Sequence, residues 1–190
     1  NALLKNRDVS LIFETLPVWD VQLCRYAAEL AMRRAEYISM LAPFAKEKHA
    51  FLTDGAETLE ISSDKHYGDD KEEIEKRLLA EFEANYEKDV KLGFTTVGPH
   101  RDDLKILING TEARVYGSQG QARTAALAIK LAEVEIFQKT AGESPVLILD
   151  DVMSELDLAR RRKLLAEIDG IQTILTCTHT EKVLFGKTVN

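Results

Sequence analysis

Gly117-Ser118-Gln119-Gly120-Gln121 and, about one helix's length later, Val146-Leu147-Ile148-Leu149-Asp150-Asp151 followed by Ser154-Glu155-Leu156-Asp157 are the stretches on which the fold turns. The first is a polar, glycine-bearing turn that opens a helix. The second is an apolar strand that ends in two acids. At such a helix start, Ser118 and the backbone N–H groups around Gly120 aim unpaired donors and the positive end of the helix dipole at an anion such as a terminal phosphate. Gly120 puts no Cβ between the chain and that ligand. Neighbours on a strand point to opposite faces, so one of Asp150 and Asp151 can hold Mg²⁺ while the other orients or deprotonates a water.

Around this centre, 190 residues are enough to bury the core of one domain with an appendage. No run is long and apolar enough to cross a bilayer and no secretory segment opens the chain, so no membrane role is expected. Cys24 and Cys177 lie far apart without metal-like spacing, which makes a reduced, cytoplasmic setting the expectation, with both thiols as small core residues. The net charge of −7 is uneven: residues 91–190 carry equal numbers of acids and bases, so the acidic excess belongs to residues 1–90. Any contact with nucleic acid must then use a local basic patch on the second half. Arg160-Arg161-Arg162-Lys163 is the candidate run, and a solvated helix face is its competing reading.

Taken in order, Asn1 to Arg7 lacks an initiator Met and reads as a cut end, with Ala2-Leu3-Leu4 as the tail of a helix. Pro17 suits a first helical turn, Trp19, Leu23, Tyr26, Ala27, Leu30, Tyr37, Ile38 and Leu41 recur at helical spacing, and Pro43 is expected to end that helix. Asp54-Gly55 marks a turn and Leu59-Glu60-Ile61 alternates like a strand. Ile74, Leu78, Phe82 and Tyr86 recur every four residues, with Glu72–Lys76 and Glu73–Arg77 as surface ion pairs. Two such helices form a helical arm over residues 1–92, each covering the other's apolar stripe.

From Phe94 the period changes. Thr95-Thr96-Val97 favours strand, Leu104 to Ile108 alternates, Asn109-Gly110 is a hairpin dipeptide, and Ala113 to Tyr116 would return to Ser118 as a strand. His100-Arg101-Asp102-Asp103 is too polar for a strand interior. It admits a metal site, an Arg–Asp network, or a phosphate contact by Arg101. Beyond Gln121, Leu127, Leu131 and Val134 form a helical stripe that Gly142 to Pro145 ends. The unbroken run Val146 to Leu149 predicts a strand buried on both faces. Asp157 is expected to cap a helix over 158–168 with Gly170 as its stop, and 172–177 reads as a further buried strand from which Thr178-His179 emerges.

Three stretches carry a resemblance: Thr96-Val97-Gly98-Pro99-His100-Arg101-Asp102-Asp103-Leu104, then Tyr116 to Thr124 running on through Leu127 to Glu133, then Leu147 to Asp157. Together they resemble the RecF family of bacterial DNA repair proteins, relatives of the SMC and Rad50 ATPases. The resemblance implies an α/β fold, the carboxyl-terminal half of an ABC-type head over 93–190 with an inserted helical arm. It further implies an ATP-dependent homodimer that binds DNA and works with RecO and RecR in recombinational gap repair. Ser118, Gln119, Gly120 and Gln121 match the signature loop that faces the γ-phosphate held by the other subunit. Asp150 matches the Mg²⁺ carboxylate, Asp151 the catalytic acid position, and Ser154 to Asp157 the D-loop at the dimer contact, with Asp157 near the nucleotide.

His179 resembles the switch histidine of cassette ATPases, and Arg101, Arg123, Arg160, Arg161 and Arg162 are the DNA candidates. Ala122 stands where the family often has a second Gln. Gly-x-x-x-x-Gly-Lys followed by Ser or Thr, the loop that cradles bound phosphates, does not occur in the chain. Alone, it is therefore expected to bind ATP poorly, to hydrolyse it hardly at all, and to expose apolar faces that favour self-association. The competing readings are another SMC-like or transporter-type head, or a non-catalytic protein-binding module.

Overall fold

The structure, a computed structural model, describes residues 2–5 and 9–177. Its elements are α1 (Val9–Leu52), β1 (Leu59–Ser63), α2 (Lys71–Leu92), β2 (Leu104–Ile108), β3 (Thr111–Glu112), α3 (Ala113–Tyr116), α4 (Gln119–Ala141), β4 (Leu147–Leu149), α5 (Leu158–Glu167) and β5 (Thr173–Leu175). They build two compact units, Asn1–Met40 with Ile61–Lys105, and Leu41–Glu60 with Ile106–Asn190. The expectation drew one line between residues 92 and 93. Here α1 contributes to both units, and residues 93–105 lie with the first.

In the first unit, α1 and α2 bury their facing stripes. Cys24, Ala27 and Ala28 of α1 meet Ile74, Leu78 and Phe82 of α2, with Tyr67 closing the cluster. Full burial of side chains of this size stabilises by about 1.5–3 kcal/mol for each large one. Asp70 caps α2 by accepting the Glu73 N–H at 2.8 Å, and Gly93 ends it in the left-handed region. The prolines do not bound α1: both Pro17 and Pro43 lie inside its 44 residues. A proline forfeits one backbone bond, but Ile12 and Leu16 before Pro17, and Leu41 and Ala45 around Pro43, are buried and hold the helix through. Nor does Thr95-Thr96-Val97 form a strand. The buried Asp89 carboxylate takes both the N–H and the hydroxyl of Thr96, at 3.1 and 2.6 Å, so those donors are withdrawn from any sheet.

β1, β2 and β3 form one sheet in that order. The bonds Asn109 N–H to Thr58 O and Asp64 N–H to Asp103 O set β1 and β2 antiparallel. Asn109 (φ 51°) and Gly110 (φ 76°) are both left-handed, as a two-residue hairpin needs, and Ile108 pairs with Thr111. The return strand stops after two residues. Ala113 to Tyr116 is a helical turn rather than a strand, closed by Gly117 N–H on Ala113 O at 3.0 Å, and Val115 and Tyr116 are left exposed with no sheet face to bury them.

In the second unit, α4 buries Thr124, Leu127, Ala128, Leu131 and Ala132. Lys48 of α1 lies between Glu135 of α4 (3.1 Å) and Glu167 of α5 (2.8 Å). β4 and β5 pair in parallel, Leu147 with Thr173 and Leu149 with Leu175. Leu147 and Leu149 are buried, but Val146, Ile148 and Ile174 are 51%, 67% and 54% exposed, which corrects the expectation of burial on both faces. Parallel strands are ordinarily covered on both sides, so this sheet presents an uncovered apolar face.

Candidate functional site

The turn at 117–121 is built by a capping box. Ser118 Oγ accepts the Gln121 N–H at 3.2 Å and the Gln121 side-chain oxygen accepts the Ser118 N–H at 3.0 Å, which starts α4 at Gln119. The N–H groups of Gln119 and Gly120 lie in the first turn, unclaimed by that box, and Ser118, Gln119 and Gly120 are exposed. The two glycines serve different ends. At Gly117 a Cβ would stand 2.4 Å from Ala113 O, so the tight end of α3 requires glycine, whereas at Gly120 a Cβ would meet nothing within 4 Å. The room at Gly120 is therefore left toward solvent.

Asp150 and Asp151 follow β4 directly. The Thr176 hydroxyl, just beyond β5, donates to the Asp150 carboxylate and accepts the Asp151 N–H at 2.9 Å. One hydroxyl thus orients both residues. Asp151 sits in the left-handed region (φ 49°), unusual for a residue with a Cβ, and its Oδ1 is buried without a hydrogen-bond partner. Asp150 is exposed and Asp151 half-buried. A buried, unpaired carboxylate oxygen beside an exposed carboxylate fits a hard cation that keeps most of its waters, as Mg²⁺ does. Among the described residues no three His, Cys, Asp or Glu side chains gather as metal ligands, so the metal reading of His100-Arg101-Asp102-Asp103 has no ligand set.

Val152–Glu155 forms a single 3₁₀ turn after the acids, and Glu155 pairs with Arg123 of α4 at 3.2 Å, linking the acid strand to the capped helix. Asp157 caps α5 by accepting the Arg160 N–H at 2.9 Å. That bond, with the nearby guanidinium, holds its carboxyl below the usual range. Gln121 and Ser118 bond to each other and Asp150 bonds to Thr176; the described bonds do not join these two groups directly.

The arginine candidates divide by what they already hold. Arg160 returns to Asp157 at 3.0 Å and Arg161 donates to Leu156 O at 2.8 Å, while Arg162 is exposed. Arg101 donates to Thr95 O and lies over the Phe94 ring at 4.9 Å, so it braces its own loop. Asp102 instead accepts from Tyr67 at 2.8 Å with Lys65 3.6 Å away. His179 lies outside the described residues. Sequence reasoning missed Thr176, whose signal is a hydroxyl one residue past a strand that parallels the acid strand.

No protein-family model matches the chain. It is 41% identical over 186 residues to the DNA replication and repair protein RecF of Ruminiclostridium cellulolyticum, which covers 95% of this chain and 50% of that protein. Against the protein of the same name from Lachnoclostridium phytofermentans it is 44% identical over 171 residues, 90% of this chain and 46% of that one. Among solved structures it is similar to the recombination mediator protein RecF-ATP of the RecFOR pathway, with a TM-score of 0.76 at 38% identity over 89% of this chain and 46% of that chain. The chain spans about half the length of the curated relatives it matches.

Proposed function

The chain belongs to the RecF family, and from that premise we propose that it supplies one half of an ATP-operated, DNA-binding head that closes as a homodimer. In this reading Ser118 and the N–H groups of Gln119 and Gly120 meet the γ-phosphate of a nucleotide held by the second subunit. The observation that carries it is the exposed, capped start of α4 with open space at Gly120. Asp150 would hold Mg²⁺, which when bound would neutralise charge on the phosphates. Asp151, fixed through Thr176, is the group that takes up the proton of the attacking water. The solved relative is described with ATP and in the RecFOR pathway. That description supports extending ATP, and RecO and RecR as partners, to the whole protein of which this chain forms part.

The test joins this chain to the remainder of its protein and measures DNA-stimulated ATP hydrolysis and ATP-driven dimerisation. Asp151→Asn is expected to lower turnover by about 10²-fold or more, and Ser118→Arg to abolish dimerisation. Unchanged turnover in Asp151→Asn removes that carboxylate from the chemistry. DNA binding is assigned to basic side chains of the second unit, led by the exposed Arg162. It is expected to weaken with rising salt through counterion release.

A second reading, a protein-docking role for the first unit, is favoured by Trp19 and Tyr26, which are 59% and 76% exposed beside an apolar hollow lined by Leu16 and Leu23. Loss of RecR capture on Trp19→Ala, with ATP hydrolysis intact, is the outcome that favours it.

A further inference from the structure

We infer that Glu57, backed by the buried His49, is a positioning residue that fixes the Ser118–Gln121 turn. Neither residue belongs to a motif, and Glu57 is 64 positions from Gln121 in sequence, yet its Oε1 accepts the Gln121 side-chain N–H at 2.9 Å. That amide is committed at both ends, because its oxygen accepts the Ser118 N–H at 3.0 Å. A carboxylate can only accept, so Glu57 dictates which way the amide faces: nitrogen toward Glu57, oxygen toward Ser118. Turned over, the amide would set its N–H against the Ser118 N–H donor and its oxygen against the Glu57 carboxylate oxygen. The capping box therefore depends on a residue outside α4.

Glu57 is itself held. The next residue, Thr58, gives its N–H to the Asn109 side chain at 2.8 Å and accepts the Asn109 N–H at 2.9 Å, so the β2–β3 hairpin turn braces the backbone beside it. Its second oxygen is buried without a hydrogen bond and faces Nε2 of the fully buried His49 at 3.6 Å, within ion-pair range but too long for a hydrogen bond. Burial pushes the His49 pKa down, and the Glu57 carboxylate opposes that shift. The order of support runs from Asn109 through Thr58 and Glu57 to Gln121 and Ser118, all within the second unit.

This inference rests on reading Ser118–Gln121 as a turn that faces nucleotide, and the test separates the two. In the full-length protein, Gln121→Glu keeps the oxygen that accepts from Ser118 but sets a second carboxylate against Glu57. It is expected to weaken ATP-driven dimerisation about tenfold, a coupling of ordinary size for contacting residues. Glu57→Gln combined with Gln121→Glu exchanges donor and acceptor across the same contact and is expected to restore dimerisation to within about threefold of wild type.

A double variant no better than Gln121→Glu alone overturns the proposal. If Ser118→Arg dimerises normally with ATP, the nucleotide reading falls, while the positioning role of Glu57 is then decided by the exchange measurement alone. A further readout needs no nucleotide: hydrogen exchange of the Ser118 amide is expected to speed up about tenfold in Glu57→Ala as its acceptor is freed to rotate. Unaltered exchange in a variant that melts cooperatively overturns the role assigned to Glu57.

Discussion

Gly117 and Gly120 stand three residues apart in one motif and are glycine for opposite reasons. A methyl at 117 would press to 2.4 Å of Ala113 O, whereas at 120 it would point into open space. Gly117→Ala is therefore expected to cost about 1–3 kcal/mol of unfolding free energy by denaturant titration. Gly120→Ala is expected to raise helix stability by about 0.5–1 kcal/mol while weakening ATP-driven dimerisation. If both variants merely destabilise, the space at Gly120 is not a ligand's.

Asp20 on α1 gives a prediction with a pH sign. Burial above all, then the Asp89 and Glu83 charges, raise its pKa from 3.8 to about 6. The folded chain thus binds more protons than the unfolded one between those values. Stability from this group is complete below about 3.8 and is lost as pH rises through about 6. Asp20→Asn is expected to stabilise by about 1–2 kcal/mol at pH 7, short of the full shift because the side chain is only half-buried. At pH 3.5 it is expected to change little, and equal effects of the variant at both pH values would contradict this account.

At the scale of elements, most of the pattern was legible where one local rule acted alone. Ser118 and Asp157 at helix starts, Gly142 at a helix stop and the Asn109-Gly110 hairpin all stand where capping and turn chemistry put them. Legibility failed where tertiary burial overrode local preference. Pro17 and Pro43 read as ends because proline removes a backbone donor, but buried flanks carry α1 through both. Thr95-Thr96-Val97 reads as strand from its β-branched residues, but Asp89 takes the Thr96 donors. Because Ser118 Oγ satisfies one of the first backbone donors of α4, Ser118→Ala is expected to destabilise by about 1 kcal/mol, read as a fall in thermal midpoint. A loss of ATP-driven dimerisation larger than that fall explains would separate contact from capping.

At the scale of the whole molecule, one face of β4 and β5 leaves apolar side chains exposed among the described residues of the second unit. Val146, Ile148 and Ile174 remain exposed, with Leu158 nearby in sequence at 67%. The isolated chain is therefore expected to self-associate with concentration in sedimentation experiments, and Ile148→Lys with Ile174→Glu to shift it toward monomer. A wild-type chain that stays monomeric at high concentration would mean that this face is too small to drive association.

Residue order alone determined the capped start of α4, the acid pair after an apolar strand and the family resemblance, because each is local: a cap, a strand end and a turn are settled within a few residues by backbone donors and side-chain length. Only the tertiary structure decided that Thr176 orients both acids, that Arg160 and Arg161 are spent on their own helix, and that Glu57 reaches Gln121. Those contacts join positions far apart in the chain or depend on which rotamer packing leaves open, and a pattern of residue types carries no record of either.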